Sequence, residues 1–111
     1  MALVNPVARG QIWRVQLDPT LGSEIQKTRP CVVISPPEMH DHLRTVIVAP
    51  MSTGSRPAPY RIGITHADQR GLILLDQPCT VDKQRLSKCL GALDQTTLST
   101  VLATLQEQFA E

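Results

Sequence analysis

The residues best equipped for chemistry in this chain stand at the ends of apolar runs. Arg29 lies directly before Pro30 and the run Cys31-Val32-Val33-Ile34. Glu24 stands five residues earlier in the same polar stretch, residues 22–30, GSEIQKTRP. A guanidinium holds its charge far above neutrality, and its planar fork matches the oxygens of a phosphate. Ser52 and Thr53 follow a second apolar run and offer hydroxyls that bind a phosphate oxygen or relay a proton. Asp76 and Gln77 end a third run, where burial can raise a carboxyl pKa. A fixed cation with acids and hydroxyls is the equipment of phosphoryl chemistry, provided the three segments converge. Each residue also has a plainer reading. Arg29 can serve a surface salt bridge, Glu24 can be a solvated loop carboxylate, and Ser, Thr, Asp and Gln after a strand are ordinary turn residues.

Other candidates carry less. His40 and His42 form an HxH pair, but they fall in a loop segment with no third ligand nearby, so no metal site is expected. His66 reads as a surface turn residue. The sequence holds no GxSxG, HExxH, P-loop or GxGxxG.

Composition narrows the field. A length of 111 residues suits one domain and one core. Net charge is only +1, so any polyanion site must be local; Lys27, Arg29, Arg44, Arg56, Arg61 and Arg70 all lie in the middle of the chain. One Trp, one Tyr and one Phe leave the core aliphatic and speak against a base-stacking nucleic-acid module. Three cysteines without CxxC spacing, and no secretory signal, suit reduced thiols in the cytoplasm. Cys31, Cys79 and Cys89 each read as a small buried hydrophobe. No run approaches the ~20 apolar residues of a membrane span.

Strands must hold these side chains. Residues 10–18 alternate, with Trp13, Val15 and Leu17 against Arg14 and Gln16, the period of a half-buried strand. Turn chemistry follows at Asp18-Pro19-Thr20-Leu21-Gly22. Residues 31–34, 45–51 and 72–75 are short apolar strands, and 60–64 alternates as another. Residues 38–44 and 52–59 read as loops, and 66–71 as a polar turn. Residues 80–82 read as a short extended piece, 82–86 as one helical turn, and 88–93 as the last strand. Asp94 reads as the N-cap of a helix over about 95–110, with Leu98, Val101, Leu102, Leu105 and Phe109 on one face. Residues 1–8 read as a flexible arm. Five to seven closely spaced strands before one helix predict a mainly β fold, a small antiparallel barrel or strongly coiled sheet capped by that helix. The aliphatic strands outnumber what one small barrel needs to bury, so a dimer is expected.

Metal-free RNA cleavage needs a base for the ribose 2′-hydroxyl, an acid for the departing 5′-oxygen, and fixed positive charge for the transition state. In order and spacing, RGQIWRVQLDPTLGSE, KTRPCVVIS, VIVAPMST and GLILLDQPCTVDKQRL resemble the MazF/PemK (Kid) family of toxin endoribonucleases of type II toxin–antitoxin systems. The resemblance runs over residues 9–109. It implies a single SH3-like barrel domain that works as a homodimer. It implies sequence-selective cleavage of single-stranded mRNA with no metal or other cofactor, leaving 2′,3′-cyclic phosphate and 5′-hydroxyl ends. It implies a MazE/PemI-like antitoxin partner whose disordered tail covers the RNA groove, DNA binding as that complex, and no membrane partner.

Residue by residue, the resemblance makes Arg29 the stabiliser of the transition state. Glu24 and Asp76 become the acid or base in either order, and Gln77 holds the geometry. The family motif P-x-T-S reads Pro50-Met51-Ser52-Thr53 here, so either Ser52 or Thr53 is the working hydroxyl. Lys27, Thr28, Thr53, Arg56 and Arg61 are expected along the RNA. The arginine that some members carry two residues before the acid is Leu74 here, and their histidine is Ser23, so a mechanism through either is not available. Two alternatives remain. A gyrase-inhibiting toxin of the same fold would need a Trp-containing C-terminal tail, whereas residues 106–111 read QEQFAE. A non-catalytic SH3-like binding module would bind without cutting.

Overall fold

The structure, a computed structural model, describes residues 6–17 and 27–111, with only the backbone described at Lys27. Seven strands appear in chain order: β1 Gln11–Leu17, β2 Lys27–Val33, β3 Thr45–Ser52, β4 Arg61–His66, β5 Gln69–Leu74, β6 Cys79–Asp82 and β7 Leu86–Ala92. Every pairing is antiparallel, and the order across the sheet is β4-β5-β3-β2-β1-β7. β3 is shared along one edge: its residues 45–48 pair with β6, and Met51 and Ser52 pair with β5. The result is a curled, mainly β sheet with one long helix, α2 Gln95–Gln108, after it.

Two apolar clusters lie on the two faces, as alternation along the strands requires. Ile12, Val32, Ala49, Met51, Ile73 and Leu75 pack with Val101 of α2. Trp13, Val15, Cys31, Val33, Val48 and Val81 pack on the other face. β1 is therefore covered on both sides, with Ile12 on the helix face, where alternation alone suggested one polar face. Asp94 caps α2 by accepting a hydrogen bond from the Thr97 N–H at 2.7 Å. Val101 is fully buried, and Leu98 seats on Gly10, whose φ of +90° favours glycine and whose Cβ position is crowded (3.1 Å from Leu98 Cδ2). Phe109, expected on the packed face, is 72% exposed because the helix has ended there.

Several local readings change. Residues 38–44 are not simply a surface loop: Pro37–His40 form a single helical turn, α1, with Pro37 at its first position, where a missing N–H costs nothing. His40 is completely buried. The Val7 carbonyl can only accept, so His40 Nε2 donates to it (2.9 Å), and His40 Nδ1 accepts from the Ser35 hydroxyl (2.9 Å). Ser35 Oγ in turn accepts from the Ile47 N–H at 3.2 Å. This chain of bonds satisfies every member and ties Val7, inside the stretch read as a flexible arm, to α1 and β3. Residues 66–71 are not one turn. β4 runs on through His66 and β5 begins at Gln69, leaving only Ala67 and Asp68 at the tip, both at positive φ (52° and 64°). Cys31 is buried and Cys79 half-buried, but Cys89 is exposed on β7. The turn at 18–22 and residues 1–5 lie outside the described residues.

Candidate active site

Strand register brings the first two chemical segments together. β2 pairs with β3 through Cys31↔Pro50, Val32↔Ala49 and Val33↔Val48, and continuing that register sets Arg29 beside Ser52. Arg29 shares the face of Cys31 and Val33, and Ser52 that of Val48, so both emerge where the second apolar cluster ends. Pro30 fixes the backbone directly after Arg29. Burial pushes the Cys31 thiol up to about 12, the nearby Cys79 adds to this, and the Arg29 charge opposes it. The guanidinium field thus reaches the same patch.

Arg29, Ser52 and Thr53 line one cleft of about 440 Å³ together with Ile64, His66 and Gln69. The Ser52 hydroxyl is fixed from within the protein. Its oxygen accepts from the Gly54 N–H (3.2 Å) and from the Ser55 hydroxyl (2.9 Å). With its acceptor side so used, its own proton is left to point outward as a donor. Gly71, also on the wall, sits where a Cβ would come within 2.8 Å of the Ser52 carbonyl oxygen, so only glycine lets β5 approach so closely. Among the described residues Arg29 has no ion-pair partner.

The third segment lies elsewhere. Asp76 and Gln77 follow β5 and are not among the described residues lining this cleft. Asp76 is held by a bidentate pair with Arg61: Nε to Oδ1 and the second guanidinium nitrogen to Oδ2, both 3.0 Å. The Arg61 N–H groups hold the Asp76 carboxyl below the usual carboxylate range. Arg61 also donates to the Arg56 carbonyl at 3.0 Å, so it braces the 53–60 loop against the Asp76 turn. The Gln77 N–H bonds the Leu74 carbonyl in that turn. Of the side chains expected along RNA, Thr53 is in the cleft, Thr28 and Arg56 are exposed, and Arg61 is already engaged. Glu24 and the Lys27 side chain lie outside the described residues.

His66, which reads in the sequence as a surface turn residue, and Gln69, within the stretch that reads as a polar turn, both line this cleft. The signal was present, since the alternation of Ile62 and Ile64 continues to His66. It was masked by reading the polar residues after Ile64 as a turn. Among the described residues no three His, Cys, Asp or Glu side chains group as a metal site.

The family model for PemK-like, MazF-like toxins of type II toxin–antitoxin systems matches residues 8–109. The chain belongs to this family. Among curated relatives, the endoribonuclease PemK of Escherichia coli is 36% identical over 107 residues, covering 91% of this chain and 80% of that protein. The endoribonuclease EndoA of Bacillus subtilis is 32% identical over 110 residues, covering 94% of this chain and 95% of that protein. The fold agrees with a MazE–MazF complex from Deinococcus radiodurans, at a TM-score of 0.80 and 20% identity over 95% of this chain and 96% of that one. It also agrees with a mycobacterial endoribonuclease solved with its cognate antitoxin, at a TM-score of 0.74 and 22% identity over 91% and 92%. In this MazF/PemK-type toxin, then, the arginine and the serine of two separate motifs share one cleft. That cleft offers a fixed cation and an outward hydroxyl donor to one phosphate. No helix among the described residues is long and apolar enough to cross a membrane.

Proposed function

We propose that this chain is the toxin of a type II toxin–antitoxin system that cuts single-stranded mRNA at selected sequences, without a metal, at the Arg29–Ser52 cleft. In the reaction the 2′-oxygen bonds to phosphorus as it loses its proton. The bond from phosphorus to the 5′-oxygen breaks as that oxygen gains one. The products are a 2′,3′-cyclic phosphate and a 5′-hydroxyl. Arg29 meets the extra negative charge on the pentacoordinate phosphorus, where a preorganised charge is worth most. Ser52 donates to a phosphate oxygen and sets its orientation. Glu24 and Asp76 remain proposed acid–base groups, with Gln77 holding the Asp76 turn. Lys27, Thr28, Thr53, Arg56 and Arg61 are proposed to follow the flanking nucleotides, a contribution that weakens as salt rises. A cytoplasmic homodimer silenced by a MazE/PemI-like antitoxin completes the reading.

The observation that supports it best is the placement of Arg29 and the double-anchored Ser52 hydroxyl in one cleft. Purified protein incubated with mixed-sequence RNA in EDTA is expected to yield cyclic-phosphate ends; RNA left intact across several sequences overturns the proposal. Arg29→Ala is expected to abolish both cleavage and growth arrest while keeping the melting curve. Unchanged toxicity removes Arg29 from the mechanism.

A further inference from the structure

His66 is the last residue of β4 and pairs in register with Gln69 across a two-residue tip. It is half-buried and lines the cleft that holds Arg29 and Ser52, on the strand face of Ile62 and Ile64. It also borders a neighbouring cleft of about 900 Å³ that carries Arg70, Asp94 and Thr97. Ile64, His66 and Gly71 line both clefts, so the two adjoin along these residues.

Among the described residues of the Arg29 cleft, His66 apart, no side chain both takes and releases a proton. The described lining contains no carboxylate, thiol, amine or phenol. The Asp76 carboxylate is occupied by Arg61. Arg29 does not give up its proton, and the hydroxyls of Ser52 and Thr53 and the amide of Gln69 neither take nor release one readily. An imidazole does both, which is why histidine is the commonest general acid–base group.

We infer that His66 is a catalytic residue of this cleft and carries one of the two proton transfers of RNA cleavage. It acts either at the 2′-hydroxyl as the new O–P bond forms, or at the 5′-oxygen as the old one breaks. The inference rests on the endoribonuclease reading and adds to it a residue that neither the motifs nor the family resemblance marks. Among the described residues, the charged groups that line these two clefts with His66 are Arg29 from β2, Arg70 from β5 and Asp94 at the start of α2.

The test compares wild type with His66→Asn and His66→Gln in single-turnover cleavage. One substrate is an ordinary oligoribonucleotide, and the other carries sulfur in place of the bridging 5′-oxygen, a leaving group that needs no proton. The variants are expected to lose about a hundredfold to a thousandfold in rate on ordinary RNA. Affinity for an uncleavable 2′-deoxy analogue should stay within about twofold of wild type, and one limb of the pH–rate profile should vanish. If the defect disappears on the sulfur substrate, His66 is the acid; if it persists, His66 is the base. Rates close to wild type overturn the inference. So does a loss matched by weaker analogue binding, or a pH–rate profile merely scaled down. A wild-type chain that cuts RNA while the variants cut equally well sinks His66 alone. A wild-type chain that leaves RNA intact sinks the endoribonuclease reading with it.

Discussion

The hydroxyl of Ser52 owes its direction to backbone as much as to its own rotamer. Gly54 and Ser55 hold its oxygen, and Gly71 lets β5 close onto its carbonyl. A methyl at position 71 meets backbone, which cannot swing aside as a side chain would. Gly71→Ala is therefore expected to shift Ser52 and cost roughly a hundredfold in cleavage rate, the penalty of misplacing a catalytic group by an ångström or so. Single-turnover kinetics check this, and an unchanged rate would mean that the strand absorbs the methyl. Arg29 and Ser52 were legible as chemistry because each ends an apolar run in a recognisable motif. The pairing of Arg61 with Asp76 was not, because it depends on the β4–β5 register that sets Arg61 opposite Leu74. His66 was hidden for the same reason.

At the scale of elements, the β4–β5 hairpin is the part least written in the sequence. Tight hairpins with both tip residues left-handed normally announce themselves with Asn-Gly or Asp-Gly. Here Ala67 and Asp68 take those angles, at φ 52° and 64°, and alanine has no side-chain bond to compensate. The tip thus reads as an indistinct polar stretch, and two strand ends disappear into it. Ala67→Gly is expected to raise stability by about 1 kcal/mol by relieving that conformation, measured as a higher urea midpoint. A lower midpoint would show that the alanine methyl packs better than the angle suggests. By contrast, β1, β3 and α2 were plain from alternation, from the β-branched run and from the Asp94 cap. α1 is short enough, at four residues, to leave no periodicity in the sequence, although a proline at the first helical position begins a turn readily.

For the whole molecule, groups whose pKa is shifted by folding shape the pH range of stability; among the described residues these include two aspartates and the thiols of Cys31 and Cys79. Asp76, held by Arg61, and Asp94, held by the Thr97 N–H, titrate below their ordinary value of 3.8 in the folded state. Their contribution is complete above that value and is lost as pH falls through the folded-state pKa values. Cys31 moves the other way, from 9.0 to about 12, so its contribution is complete below 9.0 and is lost as pH rises towards about 12. Melting temperatures should therefore hold steady between these limits and fall on both sides. Asp76→Asn should flatten part of the acid limb and Cys31→Val part of the alkaline one, and limbs unchanged in the variants would reassign them to other groups. The Arg61–Asp76 brace carries a further consequence. The Asp76 carboxylate already offsets the charge of Arg61, so a nucleotide phosphate that settles on that guanidinium competes with the aspartate for it. Anion capture and carboxylate release become two ends of one exchange, and whatever tightens one loosens the other.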